Sequence, residues 1–571
     1  MLETRSKQIL GTLTLVAVAA ITLVVAPYTL MDPMGLPKLV VLAFLAIVAL
    51  SLIAPALKNL YKSNYKTLAI LTVLFIFQIV LVMLFSGANI TVQFLGTYQR
   101  QTGALTYISL AVLMLSASLV SDSAFIKRFV RTILVVGLIL IIYGNLQFLG
   151  LEPFPYTNAY TANAPIGTFG NPNFQSAFMG MIAVISFTMV LNKSYKNSVR
   201  FGLVLAGVTA LIVVYETLSK QGFLNFIAGS GAVLILWLFM TNRKSLALAA
   251  SGLGAVGTAF TFLGLINIGP LADLLYKGSL EARGMYWRAA IKMLLENPFF
   301  GVGMDRFGDF YYQARSADYA AKGFFSWTNS AHNVFLDIAS SGGFMLLAIY
   351  LAILVLVVVS IIRVTKRAIA LDVYFVALAG MWIAYQSQAF ISINQIGLAV
   401  WGWVLSGLII GYEITTREKV VNQSEPSKGK QLRRNLKSSP QPLSSISIVT
   451  LIAGVLIGAL VVGPIYFSNS RFYAAIKAND FKGLESAAYL RPHDERRFFM
   501  LAGIYINAKM DAKAVEILKE ATITYPDSYD MWALWLTIPT AAPSDIAYAR
   551  AQLKRLDPPN DTISKVLPGL G

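Results

Sequence analysis

Along this chain, long stretches with almost no charged position alternate with short polar breaks. A stretch of roughly 18 apolar residues or more spans the hydrocarbon core of a bilayer as an α-helix. Such stretches recur at about 9–30, 36–55, 67–86, 103–120, 132–150, 174–192 and 201–218. Six more follow, at about 223–240, 246–266, 333–362, 372–390, 396–414 and 446–467. The pattern predicts an all-α protein, a polytopic membrane helix bundle of about thirteen transmembrane helices. Its longest polar break, about 267–331, is a large loop.

After residue 414 the pattern changes. Residues 415–445 are polar, basic and contain Pro and Ser, which predicts a disordered cytoplasmic linker between a twelve-helix body, 1–414, and a last transmembrane helix at 446–467. From 468 to 571 apolar positions return at helical spacing. Leu484, Ala487 and Pro492 recur 34 residues on as Leu518, Ala521 and Pro526, the length of a tetratricopeptide helix pair. Phe498, Leu501, Ala502, Tyr505 and Ala514 fall where such a pair packs, and Trp532 and Trp535 begin a third, degenerate unit. The expectation is a small soluble TPR-like helical domain, with a generic helical hairpin as the alternative.

Composition agrees: 56% hydrophobic residues, 13% charged residues and a mean hydropathy of +0.65 exclude a soluble globular protein. The formal charge of +18 is mostly topogenic. Arg5, Lys7, Lys58, Lys62, Lys66, Lys127, Arg128, Arg131, Lys193, Lys196, Arg200, Arg243, Lys244, Arg363, Lys366 and Arg367 fall in alternate short loops, whereas the opposite short loops hold only Lys38, Arg100 and Lys220. By the positive-inside rule the N-terminus is cytoplasmic and, after thirteen crossings, the C-terminal domain is extracytoplasmic. Cations dispersed in this way do not form a nucleic-acid surface, so no nucleic-acid partner is expected. The first apolar stretch lacks a clear cleavage site and reads as a retained helix. Cysteine is absent, which removes disulfides and thiolate metal sites.

With this topology nearly all unusual polar residues face outward. GTFGNPNFQ, Gly167 to Gln175, is a turn-forming stretch holding Asn171 and Asn173, and ETLSKQG, Glu216 to Gly222, is a second outer turn holding Lys220. The long loop contains EARGMYWRAAIKMLLENPFFGVGMDRFGDFYYQAR, in which Arg283, Trp287, Ala290 and Leu294 share one helical face and Pro298 stops the run. Anchoring to headgroups by Trp and Arg is one reading of that helix. Binding of a lipid-linked phosphate by Arg283 and Arg288 is the other. SAHNVFL then carries His332 and Asn333, and His332 is one of only two histidines in the chain.

These fragments, in this order, resemble the O-antigen ligase and O-antigen polymerase superfamily of bacterial membrane glycosyltransferases. The resemblance covers about residues 1–414. GTFGNPN is similar to the family's outer-loop motif, RGMYWRAAIKMLLENPFFGVGMDRF to its arginine-tryptophan, proline and Gly-x-Gly series, and SAHNVFL to its histidine-asparagine motif. It implies transfer of a glycan from a polyprenyl (undecaprenyl) diphosphate carrier to a glycan, lipid, wall or protein acceptor, at the outer face of the cytoplasmic membrane. Neither cofactor nor metal is expected.

In that frame His332 is the general base, since a neutral imidazole can take the acceptor proton. Arg283, Arg100, Lys220 and Arg288 are candidates for the diphosphate, with Asn333, Asn171 and Asn173 in supporting places. Arg100 lies in GTYQRQTG, similar to an early arginine-glycine motif of the family, and Lys220 stands where many members have a serine-arginine pair. Ser341 stands where the family commonly has a glutamate. Asp337, five residues beyond His332, is about 140° away on an ideal helix and is expected to point elsewhere unless the helix begins later. A lipid or solute exporter, or an envelope scaffold docking a protein on the tail, are the rival readings.

Overall fold

The computed structural model describes residues 2–154, 164–276, 279–317, 320, 328–424 and 443–559. Each of the thirteen apolar stretches is a helix. They are α1 (Thr4–Leu23), α2 (Gly35–Ile53), α3 (Lys66–Phe85), α4 (Ala104–Leu119), α5 (Ser123–Phe148), α6 (Pro172–Val190), α7 (Asn197–Glu216), α8 (Gln221–Met240) and α9 (Lys244–Leu265). The long loop then forms α10 (Ser279–Glu296) and α11 (Phe307–Ala314), and the span series resumes with α12 (Val334–Arg367), α13 (Val373–Ile391), α14 (Ile396–Ser424) and α15 (Ser445–Ala478). Among the described residues ten helices are long and apolar enough to cross a membrane. The other three, α4, α5 and α13, stand at their expected positions.

α14 and α6 form the centre. Hydrophobic side chains cover them on almost every side, as happens when a helix is surrounded by others rather than by lipid. α4 packs on α14, α7 and α8 on α6, α13 on α8, and α15 on α2. The outer helix α9 is nearly bare, with Leu246, Leu248, Leu253 and Val256 exposed.

Two expectations change. α14 continues to Ser424, into the stretch read as linker, and residues 425–442 of that stretch lie outside the described residues. Lys38, counted above as an outer loop charge, is buried inside α2. Its ammonium donates to the carbonyls of Thr22 (3.1 Å) and Val24 (2.7 Å), acceptors left without an intrahelical donor where α1 ends.

The tail folds as α16 (Phe481–Ala488), α17 (Glu495–Asn507), α18 (Asp511–Thr524), α19 (Tyr529–Trp535) and α20 (Pro543–Leu556). Leu484, Ala487, Phe498, Leu501, Ala502, Tyr505, Ala514, Leu518 and Ala521 are all buried in one apolar cluster, with Trp532 and Trp535 stacked in it 5.5 Å apart. This domain seats on one end of the bundle. Arg315 and Asp557 form a buried ion pair at 2.6 Å, Tyr312 and Tyr529 pack at 4.3 Å, and Asn89 donates to the Thr524 carbonyl at 3.0 Å.

Candidate functional site

The end of the bundle that carries the tail also holds a cavity of about 500 Å³. Its walls come from five chain segments: Asp32 to Gly35 before and at the start of α2, the loop bearing Gln99 and Arg100, the turn Phe169 to Asn171, the Asp305 to Phe307 region with Thr328 to His332, and Ile393 to Ile396. Tyr107, Tyr286, Asp337 and Ser341 complete it.

The geometry is set by a strap across α12. The residues Pro298 to Gly303 cross α12 where its helix is broken at Gly343, and their backbones bond directly: Val302 N–H to Ser340 C=O at 2.8 Å, Gly303 N–H to Ser341 C=O at 3.1 Å, Phe344 N–H to Pro298 C=O at 2.8 Å. Gly301 and Gly343 both have positive φ there, +59° and +75°, and an added Cβ would come within 2.3 Å of the Ser340 oxygen or 2.5 Å of the Pro298 oxygen. Only glycine permits this approach. The strap delivers Asp305, whose carboxylate accepts from the amides of Thr97 (2.7 Å) and Thr102 (3.1 Å), while the Thr97 hydroxyl donates to the Asp305 carbonyl at 2.7 Å. The loop carrying Arg100 is thereby clamped, and Arg100 Nε donates to Asn329 Oδ1 at 2.9 Å.

His332 occupies the turn just before α12 with φ +52°, in the left-handed region that non-glycine residues seldom adopt. Its amide donates to Ser330 Oγ at 3.0 Å, and its ring lies 5.5 Å from that of Tyr286 on α10. Asn333 caps α12, accepting from the Leu336 amide at 3.0 Å and donating to the Phe390 carbonyl at 2.9 Å. Burial, then the positive charges of Arg100 and Arg283, pull the His332 imidazole down to about 3. It is therefore neutral throughout the physiological range.

Asp337 is not turned away. Because α12 begins only at Val334 and His332 lies outside the helix, the 140° offset does not apply; Asp337 lines the same cavity and its Oδ1 accepts from the Ala331 amide at 2.6 Å. Asp32 accepts from the amides of Met34, Gly35 and Leu36 at 2.9–3.1 Å. All three acids of the cavity, Asp32, Asp305 and Asp337, thus bind backbone amides. Burial pushes Asp305 up to about 6.

Of the other expected residues, Asn171 lines the cavity and caps α6 by accepting from the Asn173 amide at 2.8 Å. Asn173 lies outside it and accepts from Ser219 Oγ at 2.7 Å, which ties down the turn before α8. Arg283 is half-buried on α10, outside the wall but within electrostatic reach of His332. Lys220 and Arg288 are exposed and line no part of the cavity. Lys220 follows the turn that Ser219 anchors, and Arg288 sits one position past the buried pair Tyr286 and Trp287, on the outward side of α10. Ser341 reaches the cavity wall. Asp32, Asp305, Asn329 and Tyr107 were not singled out from sequence. The legible signals for Asp305 and Asp32 were an acid beside the glycines of GVGMD and an acid inside the turn MDPMG. Among the described residues no group of three or more His, Asp or Glu could hold a metal ion.

Fold and site together define a polytopic helical membrane protein with a polar cavity lined in part by its longest loop. A family model described as O-antigen ligase matches residues 205–351, from within α7 to the middle of α12, and supports a likeness of this segment to the O-antigen ligase/polymerase superfamily. The matched segment contains Arg283, the strap, Asp305 and His332. Its activity class is that of an O-antigen ligase-like membrane glycosyltransferase, acting on a lipid-linked glycan and a glycan acceptor. Comparison with the curated proteins finds none that matches.

Proposed function

We propose that the cavity transfers a glycan from a polyprenyl diphosphate carrier to an acceptor hydroxyl at the outer face of the cytoplasmic membrane, without a metal. The observation carrying this reading is a neutral histidine, His332, fixed in a left-handed turn in one cavity with Arg100 and within reach of Arg283. The acceptor oxygen attacks C1 of the sugar and the C1–O bond to the diphosphate breaks. The acceptor proton passes to His332, and the carrier leaves as its diphosphate. A positioned base of this kind contributes roughly 10²–10⁴-fold. Arg100 and Arg283 balance the charge that grows on the leaving group, where a guanidinium can offer two parallel hydrogen bonds. Tyr286, against the imidazole, holds the ring's plane.

The body 1–414 performs this chemistry, and the tail from 468 is TPR-like and extracytoplasmic, on the cavity side. Polymerisation of repeat units, ligation of a finished glycan and glycosylation of a protein share this bond-forming step. An exporter would need no base, and a scaffold would survive its loss. The test is transfer in proteoliposomes from polyprenyl-diphosphate glycan, comparing wild type with His332→Ala and Arg283→Ala. Loss of transfer in both, in protein that remains folded and inserted, is the expected result. Transfer unchanged in His332→Ala would overturn the base assignment.

A further inference from the structure

A second cleft, of about 280 Å³, adjoins the cavity. It lies between the clamped loop that bears Tyr98, the start of α11, and the tail at α17 and α19, and Gln99 and Asn329 line both spaces as the partition between them. We propose that this cleft is a glycan subsite, holding sugar units one or more residues away from the bond being made. This inference rests on the glycosyltransferase reading above.

Position is the first argument. In glycan transfer the space next to the reacting C1 and acceptor oxygen is filled by further sugars of one substrate or the other. The lining is the second. The Arg496 guanidinium stands over both Tyr98 and Phe499, 5.4 and 4.7 Å from their ring centres, and carboxylates of Asp494 and Asp530 face the same space. Planar polar groups against rings suit a sugar, whose hydroxyls donate and accept while its C–H face packs on apolar surface. A lipid tail does not suit a lining of seven charged side chains, and a second diphosphate would meet four carboxylates, Asp309, Asp494, Glu495 and Asp530, against three guanidiniums, Arg306, Arg496 and Arg497.

Third, four carboxamides, Gln99, Gln101, Asn329 and Asn469, line the cleft, and a carboxamide can both donate to and accept from a hydroxyl. The chain's two histidines fall one in each space, His332 in the cavity and His493 in the cleft. The cleft exists because the tail is seated on the loops, so the tail contributes a wall of the substrate path.

The test uses the full chain with Asp530→Ala and His493→Ala, two side chains remote from the reacting atoms. Binding is read by calorimetry on detergent-purified protein, with glycan released by mild acid from the same cells' lipid-linked pool as the probe. Transfer is read in proteoliposomes while donor glycan length is varied at fixed acceptor, and then the reverse. We expect glycan binding to weaken about tenfold, KM for the long substrate to rise about tenfold at unchanged kcat, and single-sugar substrates to be unaffected. The arm in which the penalty depends on length identifies whose sugars occupy the cleft. Equal effects on short and long substrates, or wild-type binding in both variants, would overturn the subsite, as would displacement of the tail variants' defect onto peptide acceptors alone. If the wild type transferred nothing, the transfer reading would fall while the binding measurement still decided the subsite.

Discussion

At the end of the bundle opposite the cavity, helices are joined by short basic turns, and Arg367 at the end of α12 pairs with the buried Glu413 of α14 at 2.7 Å. Lys7 meets Asp122 at 3.5 Å with both side chains well exposed, Tyr195 and Tyr374 join hydroxyls at 2.9 Å, and the left-handed residue of the α8–α9 turn is Asn242, a type that tolerates that conformation. At the cavity end Gln99, Gln101, Asp305 and His332 all have positive φ, acids are spent on backbone amides, and Arg315 and Asp557 pair with side chains only 3% and 0% exposed. Turns that serve only to reverse the chain need no strain. Backbone held in sparsely populated regions costs about 1–3 kcal/mol per residue and persists where the surroundings fix it, which is where a site needs side chains aimed. The contrast sets the cavity end apart independently of any motif.

The comparison is broken most severely at His332. His332→Ala should lower kcat by about 10²–10⁴-fold while leaving expression, insertion and thermal unfolding near wild type. A variant that misfolds, or one with unchanged kcat, would remove the reason for the strained turn. Next in size is Arg315→Ala. It removes the Arg315 guanidinium from the buried Asp557 carboxylate, a change that costs about 3–5 kcal/mol when an ion pair is fully enclosed. Limited proteolysis between α15 and α20 should then become faster. A loss within about 1 kcal/mol would mean that the tail is held by its apolar contacts alone.

The pH dependence sharpens the same point with a smaller effect. His332 is lowered from 6.5 to about 3, so in the folded protein its neutral form persists down to the lower value, and the stability linked to it, fully present above 6.5, is lost as pH falls from there through about 3. In the free protein kcat/KM should therefore show no acid limb from His332 between pH 8 and 5. A bound diphosphate brings negative charge and raises the imidazole, so the acid limb of kcat should lie at higher pH than that of kcat/KM. Asp305, raised to about 6, has the opposite sign: its linked stability is lost as pH rises through 6. Its titration falls in the same window, and Asp305→Asn separates the two. Coincident acid limbs for kcat and kcat/KM in Asp305→Asn would contradict the assignment.

The spans were legible because each depends on one local property, an uninterrupted apolar run, and tertiary packing has little power to change it. His332 and Asn333 were legible through their motif, and the tail's packing positions through their 34-residue spacing. Other parts depend on events distant in sequence. Asp337 enters the cavity only because His332 leaves the helix, and Asp305 matters because a strap of residues 298–303 crosses a break at Gly343. Lys38 looked like a loop charge because sequence does not show that the end of α1 lies beside it. The outward turn of Lys220 and Arg288 likewise depends on which faces of α8 and α10 their neighbours cover.

The smallest expected effect tests the other half of the comparison. Lys7 and Asp122 are 38% and 45% exposed, so water screens their attraction and holding both side chains in place costs entropy; such pairs contribute about 0–1 kcal/mol. Lys7→Gln should shift thermal unfolding by no more than that, with a difference that shrinks further in 1 M salt, and it should leave kcat and KM unchanged. Because Arg5, Lys58, Lys62 and Lys66 remain on the same side, the positive-inside bias survives and insertion should too. A loss comparable to that of Arg315→Ala would show that the Lys7 turn too carries buried electrostatic structure, as Arg367 and Glu413 do. The distinction between a turn that only reverses the chain and a turn that aims a side chain would then have to be drawn from backbone geometry alone.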